Sequence, residues 1–328
     1  MNKAQFWEPA GGMSVQCHLC PHNCIIQENR HGICKIRVNK EGILYAREYG
    51  RVVSMSIDPM EKKPLYHFYP GSDILSVGAN GCNFSCEFCQ NWQVSQYDQP
   101  TRYVAPEELI NVALKHQSVG IAYTYTEPLI WFEYVYDCSK LANEKGLKNV
   151  LVTNGYINPK PARELLPYID ALNIDLKSID PDFYANLCGG KIEPVKAFIK
   201  QASKQAHVEL TNLVIPTKND SDDQLDELCR FVASVDENIP LHFSAYFPQY
   251  KMDVPRTPVE TLLKARKIAQ KYLRYVYLGN VHTSVGTNTV CPGCGALLIE
   301  RNGYDTHLKN IHNGRCGQCN KSIPIAGV

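Results

Sequence analysis

Between residues 73 and 284 the chain switches repeatedly between two hydrophobic periods. Runs rich in β-branched and aromatic residues read as strands: "DILSVGANG", "GIAYTYTEP", "KNVLVTNG", "ALNIDLKS", "HVELTNLVIP" and "LHFSAYFPQY". Helical patterns separate and follow them: "PEELINVALKHQ", "LIWFEYVYDCSKLANEKG", "PKPARELLPYI", "EPVKAFIKQASKQ", "SDDQLDELCRFVASV" and "TPVETLLKARKIAQKYL". Several of these open on Ser, Thr, Asp or Pro, as helix starts do. Such alternation restricts the middle of the chain to an α/β fold, a parallel sheet covered by helices. Six units suit a partial barrel better than a closed eight-stranded one, and an open doubly wound sheet accommodates them too. In either architecture chemistry gathers at the carboxyl ends of the strands. "TEP", "VTNG" and "DLK" all fall there, and a three-cysteine loop follows the first strand.

Cysteine marks off what lies on either side. The 328-residue chain holds fourteen, and eleven fall in three clusters, one of them within residues 1–72 and another within 285–328. The formal net charge of +1 gives no argument for bulk binding to nucleic acid or anionic lipid. The opening "MNKAQFWEPAGG" lacks an apolar stretch of signal-peptide length, and no run approaches a membrane span. The expectation is a soluble, cytoplasmic protein. In a reducing compartment structural disulfides are not expected, and clustered cysteines point to metal or iron–sulfur binding. Cys138, Cys188 and Cys229 stand alone in helix-like surroundings and read as small buried hydrophobes.

The loop "GCNFSCEFCQNW" offers three thiols, Cys82, Cys86 and Cys89, where a closed site wants four. Four thiolates saturate a four-iron cubane and make an electron carrier. Three leave one iron open to a small molecule, the distinction that separates closed structural metal sites from open catalytic ones. Phe88, between the last two cysteines, is placed to shield a cluster from water. A zinc site or three unrelated thiols are the alternatives, and zinc would still lack a ligand.

"CNFSCEFC" resembles the signature of the radical S-adenosylmethionine (SAM) enzymes, whose fold is a partial (βα)6 TIM-like barrel. The resemblance implies a 4Fe-4S cluster on Cys82, Cys86 and Cys89 whose open iron chelates SAM. Reductive cleavage then releases a 5′-deoxyadenosyl radical for hydrogen abstraction, the cofactors supplying the chemistry and the protein placement. It also implies roles for the strand-end motifs. Glu127 would hold the methionine ammonium, with Thr126 beside it. Tyr125 and Thr126 stand where the superfamily usually has glycines, while Glu127 and Pro128 are retained. A carboxylate capping the next helix is the other reading of Glu127. "TNG" and "DLK" are similar to the glycyl-radical-enzyme activases. There Thr153 and Asn154 would lie near the methionine and ribose ends, Lys177 would pair with the methionine carboxylate, and Asp175 would sit beside the amino group or a cation. Val214 and Ile215 would approach adenine or be plain core, and His242 would face the substrate mouth or the core.

The tail "CPGCG…RCGQCN" pairs Cys291 and Cys294 with Cys316 and Cys319, a four-thiolate zinc-ribbon-like pattern, with rubredoxin-like iron as the alternative. His307 and His312 are surplus to a complete site. The front "CHLCPHNC…GIC" supplies Cys17, Cys20, Cys24 and Cys34. Zinc, a second iron–sulfur cluster that relays electrons, and free thiols all fit it. The expected domains are therefore a Cys-rich extension (1–72), the barrel (73–284) and a metal-binding tail (285–328).

Those clusters, "DPMEKKPLYHFYPGS" and "LIERNGY" together resemble the AmmeMemoRadiSam-system radical SAM enzymes, homologues of pyruvate formate-lyase activating enzyme. The resemblance implies an external electron donor and functional association with AMMECR1-like and Memo-like proteins. It leaves open whether the enzyme activates a glycyl-radical partner or modifies a nucleic acid or small molecule. The Lys62–Lys63 pair suggests a basic lip near the pocket. A non-catalytic iron–sulfur, zinc or electron-transfer module would explain the knuckles. It would not explain three cysteines together with Glu127, Asn154 and Lys177 on strand ends.

Overall fold

The computed structural model describes residues 1–283 and 285–328. Among them, eight strands lie side by side in chain order: β1 (Ser54–Pro59), β2 (Asp73–Gly78), β3 (Gly120–Tyr123), β4 (Lys148–Thr153), β5 (Ala171–Asp175), β6 (His207–Val214), β7 (Leu241–Ala245) and β8 (Val276–Gly279). β1 runs antiparallel to β2, and every later neighbouring pair is parallel. The order never reverses. Right-handed crossovers therefore all land on one face, which excludes the doubly wound alternative and curls the sheet into a partial barrel.

Six helices fill the crossovers: α1 (Pro106–Lys115), α2 (Phe132–Glu144), α3 (Pro159–Leu165), α4 (Ile192–Ala202), α5 (Asp222–Val235) and α6 (Val259–Ala269). α5 shows why. Ser221 caps it by accepting from Gln224 N, Asp222 and Asp223 sit in its positive first turn, and Leu225, Leu228, Cys229 and Val232 bury one stripe. The six expected strand–helix units are present. β8 adds a seventh parallel strand that the short run "YVYLG" did not announce, and β1 carries the sheet back into the Cys-rich extension.

The extension builds two small three-stranded sheets, one on Arg37–Lys40 and the other on Val15–Cys17. It is pinned to α2 by a buried bidentate pair, Arg37 Nη2 lying 2.8 Å from both oxygens of Glu133. Losing either partner would strand a buried charge at a cost of about 3–5 kcal/mol.

The tail docks at the amino ends of the late strands. Tyr277, second in β8, bonds His67 and Thr289, and Arg301 reaches the Tyr66 carbonyl at 2.8 Å. Glu209, third in β6, takes His242 Nε2 at 2.6 Å and His207 Nε2 at 3.0 Å. His242 is thus a buried structural histidine, far down the barrel from the strand ends where the motifs lie. Among the described residues no helix is long and apolar enough to cross a membrane.

Candidate active site

The strand registers set the rim. Thr153 ends β4 opposite Ile174, and Asp175 ends β5 opposite Thr211, so successive carboxyl ends open on one side. There the loop 81–92 leaves β2 and closes one wall of a cavity of about 480 Å3. Cys82, Cys86, Cys89, Phe88, Thr126, Glu127, Thr153, Asn154, Asp175 and Lys177 all line it. Motifs spread over about a hundred residues of sequence thus converge on one space, of a size suited to a cosubstrate.

The loop is held from several sides. Phe84 N donates to Cys82 Sγ at 3.3 Å, and Cys89 Sγ lies 3.3 Å from Ser95 Oγ. Behind it run Cys188, Gly189 and Gly190. Ser85 N donates to the Cys188 carbonyl at 2.9 Å, and Glu87 N to that of Leu187 at 3.0 Å. A Cβ at Gly190 would meet the Phe84 ring at 2.2 Å, so only glycine allows this approach. Cys188, beside Cys86, outweighs burial and lowers the Cys86 pKa, with Lys177 adding to the effect. Cys138 and Cys229 are the buried hydrophobes expected of them, whereas Cys188 abuts the loop. Nothing in its sequence surroundings marked it.

Glu127 is fully enclosed. Its carboxylate accepts from Thr153 Oγ1 at 2.6 Å, Asn154 N at 2.8 Å and Leu129 N at 2.9 Å. Burial wins over these bonds and lifts its pKa to about 7. The Leu129 bond caps the short 3-10 helix Pro128–Trp131, so the capping reading is met. It does not exhaust the group, because a carboxylate offers about four acceptor positions and three are taken. Asn154 spends its amide on the loop, donating to Asn83 Oδ1 at 2.8 Å and lying 3.7 Å from Cys82 Sγ. Thr126 Oγ1 donates to the Ala79 carbonyl at 2.7 Å.

Lys177 Nζ pairs with Asp175 at 2.9 Å and lies 5.9 Å from the Phe88 ring centre. Burial disfavours its ammonium, but Asp175 and the Cys86 and Cys188 sulfurs outweigh that and hold its pKa well above the usual lysine range. Phe88 is buried on the cavity wall, as a shielding residue must be. On β6 the two-residue alternation turns Thr211 and Leu213 to the cavity and Val214 to the core, and Ile215, just past the strand, is buried as well.

The departure at Tyr125 has a structural partner. Tyr125 takes φ 70°, a glycine-like conformation. Its hydroxyl donates to Asp58 at 2.9 Å, and Lys63 Nζ lies 5.2 Å from its ring. Asp58 also takes Lys62 and Lys63, each at 2.7 Å. Burial raises the Asp58 pKa, yet the two ammoniums prevail and hold it well below the usual carboxylate range. Both lysines line the cavity, paired with Asp58 and the tyrosine instead of forming an open basic lip.

The tail thiols make the other kind of site. Cys291, Cys294, Cys316 and Cys319 lie within 4.8 Å of one another, with sulfur pairs at 3.5 and 3.7 Å. A zinc–sulfur bond of about 2.3 Å requires tetrahedral edges of about 3.8 Å, so one ion fits. His307 bonds Asp305 instead. Among the described residues, no other set of three or more His, Cys, Asp or Glu groups is gathered so closely. At least one pair of the loop thiols therefore stands farther apart than 4.8 Å, which a cubane's corners accommodate. Three spread thiols with a cavity at the missing corner fit a three-thiolate cluster.

A family model described as the radical SAM superfamily matches residues 76–232. An uncharacterized protein of Methanocaldococcus jannaschii is 46% identical over 334 residues, covering 99% of each chain. Pyruvate formate-lyase-activating enzyme of Clostridium pasteurianum is 24% identical over 212 residues, 59% of this chain and 87% of that one. A solved domain of pyruvate-formate lyase-activating enzyme from Bacteroides vulgatus is 21% identical, with a TM-score of 0.43, over 49% of this chain and 99% of that one. The chain belongs to the radical SAM superfamily. Membership carries with it a 4Fe-4S cluster, SAM and an external source of electrons.

Proposed function

We propose that the cavity at the strand ends binds a three-thiolate 4Fe-4S cluster and SAM side by side, and that the enzyme abstracts hydrogen from a substrate presented at its mouth. The observation that carries this reading is the convergence of Cys82, Cys86 and Cys89 with Glu127, Asp175 and Lys177 on one cavity. When bound, the cluster would supply one electron for reductive cleavage of the sulfonium, yielding a 5′-deoxyadenosyl radical. The protein's own part is placement. Glu127, fixed by Thr153 and Asn154, takes the methionine ammonium on its remaining lone pair. Lys177 takes the methionine carboxylate, with Asp175 holding the ammonium head in position. Phe88 and the Cys188–Gly190 strip keep water from the loop's far side. The tail thiols hold zinc as a structural ion.

The low-identity activating enzymes support a finer reading, hydrogen abstraction from a glycine of a partner protein. The association with AMMECR1-like and Memo-like proteins belongs to the same proposal, and an increase in 5′-deoxyadenosine release on adding them supports it. The central test is anaerobic reconstitution with iron and sulfide, then reduction with SAM present. Wild type releases 5′-deoxyadenosine and Cys82→Ala does not; equal yields sink the assignment.

A further inference from the structure

We propose that Cys17, Cys20, Cys24 and Cys34 hold a second iron–sulfur cluster, of the four-iron type, directly beside the first. All four thiols line one small, almost wholly apolar cavity of about 10 Å3. They fail the single-ion geometry that the tail satisfies: among the described residues, no three of them come within the 4.8 Å span that gathers the tail sulfurs. They share that wider spread with the loop 81–92. Four sulfurs around one apolar space, not drawn together as the tail sulfurs are, match a cluster with all four corners ligated. Zinc, an equal choice on sequence grounds, would need them drawn together.

Burial pushes the Cys17, Cys20 and Cys34 thiols up, and the backbone N–H groups of Leu19, His22 and Ile36 work against it by favouring negative charge on each sulfur. The same residue-plus-two bond serves Cys82 from Phe84 and Cys291 from Gly293. Gly32 lets the segments close: a Cβ there would stand 3.6 Å from Cys24 Sγ and 3.3 Å from Ile26 Cδ1.

A separate observation points to an anionic occupant. Arg37 lines the same cavity and is 1% exposed. Its Nη1 donates to the Gln5 carbonyl and its Nη2 to Glu133, but among the described residues its Nε has no acceptor. Buried donors are rarely left so. A cluster carrying four thiolates brings sulfur acceptors and negative charge to that place.

The site abuts the first one. A Cβ on Gly81 would lie 2.7 Å from the Cys34 carbonyl oxygen, and Gly81 immediately precedes Cys82. His22, on the cavity wall, bonds the Asn83 carbonyl through Nε2 at 2.7 Å. Ile130, three residues beyond Glu127, lines the front cavity as well. The segments that carry the two thiol sets therefore touch at Gly81 and Asn83, and Cys24 is partly exposed. A cluster here can receive single electrons from a low-potential one-electron donor at the surface and pass each one inward, with no bond made or broken.

The test is anaerobic reconstitution with ferrous iron and sulfide, followed by iron, sulfide and zinc analysis and Mössbauer spectroscopy. It compares wild type, the triple variant Cys82→Ala, Cys86→Ala, Cys89→Ala, and the double variant Cys17→Ala, Cys20→Ala. The expected contents are about eight, four and four irons per chain, with a cubane spectrum persisting in the triple variant. Iron-free triple variant, or a second zinc per chain in place of that iron, overturns the proposal. Wild type with only about four irons and intact SAM cleavage overturns it too, and leaves the loop's own reading standing. Should the double variant not fold, wild type against the triple variant decides alone.

Discussion

The tail and the loop 81–92 both gather cysteines, yet they are built differently. Tail sulfurs stand 3.5 and 3.7 Å apart on two short knuckles, and Cys294 and Cys319 are exposed. The loop sulfurs stand wider, around a cavity of about 480 Å3, braced by β2, β4 and the Cys188–Gly190 strip. A closed tetrahedron needs only local turns, because each pair supplies one edge and the ion supplies the rest of the fold energy. An open site needs a rigid scaffold, since nothing on the vacant corner holds it in shape until substrate arrives. The structure accordingly places the tail at the amino ends of β6–β8 and the loop at the opposite, carboxyl ends.

That contrast can be broken by experiment. The largest effect belongs to Cys86→Ala: loop iron and 5′-deoxyadenosine release fall to background by iron analysis and chromatography, while tail zinc stays. Cys291→Ser should do the reverse. Zinc falls from about one per chain towards none, the melting temperature drops by several degrees, and the loop cluster's absorption is retained. A variant of either kind that removed both metals would erase the distinction.

Glu127→Gln probes the open site without touching sulfur. Loss of a charge-assisted contact weakens SAM binding about 10- to 100-fold by calorimetry. In wild type the carboxyl titrates near 7, so affinity falls as pH drops through that value, and the variant shows no such fall. Stability runs the other way. A carboxyl raised by burial favours the protonated fold, so the metal-free protein loses up to about 3 kcal/mol as pH climbs from about 4.5 to 7. Urea unfolding at pH 5 and pH 8 should show this in wild type and not in Glu127→Gln.

Gly190→Ala pushes on Phe84 from behind and should lower iron retention against a chelator about 10-fold while leaving zinc unchanged. The smallest effect is expected for Lys62→Ala. Its ammonium is half exposed and Asp58 keeps Lys63, so unfolding free energy should shift by less than about 1 kcal/mol.

Much of the molecule was readable in its residues. Strand–helix alternation located the six principal crossover helices and six of the eight strands of the large sheet, and the three-cysteine loop with "TEP", "TNG" and "DLK" named residues that share one cavity. These signals are local: a period of two or 3.6, a cap, a turn, a ligand spacing. Other features escaped because they join distant segments. β8 is four residues long and β1 lies amid turns, so each becomes a strand only by pairing. Tyr125 in a glycine-like conformation makes sense once Asp58 and Lys63, some sixty residues earlier, are seen against it. Cys188 read as a plain core thiol until the chain brought it to Cys86.

The sequence by itself determined which residues could bind metal and in what numbers, because thiol count and spacing are chemical facts of the chain. It also determined the class of fold, because hydrophobic period dictates element type. Whether four thiols are drawn together within 4.8 Å or stand farther apart was decided by tertiary structure alone. That width depends on which strands and loops pack behind each cysteine, and packing is a property of segments far apart in the chain.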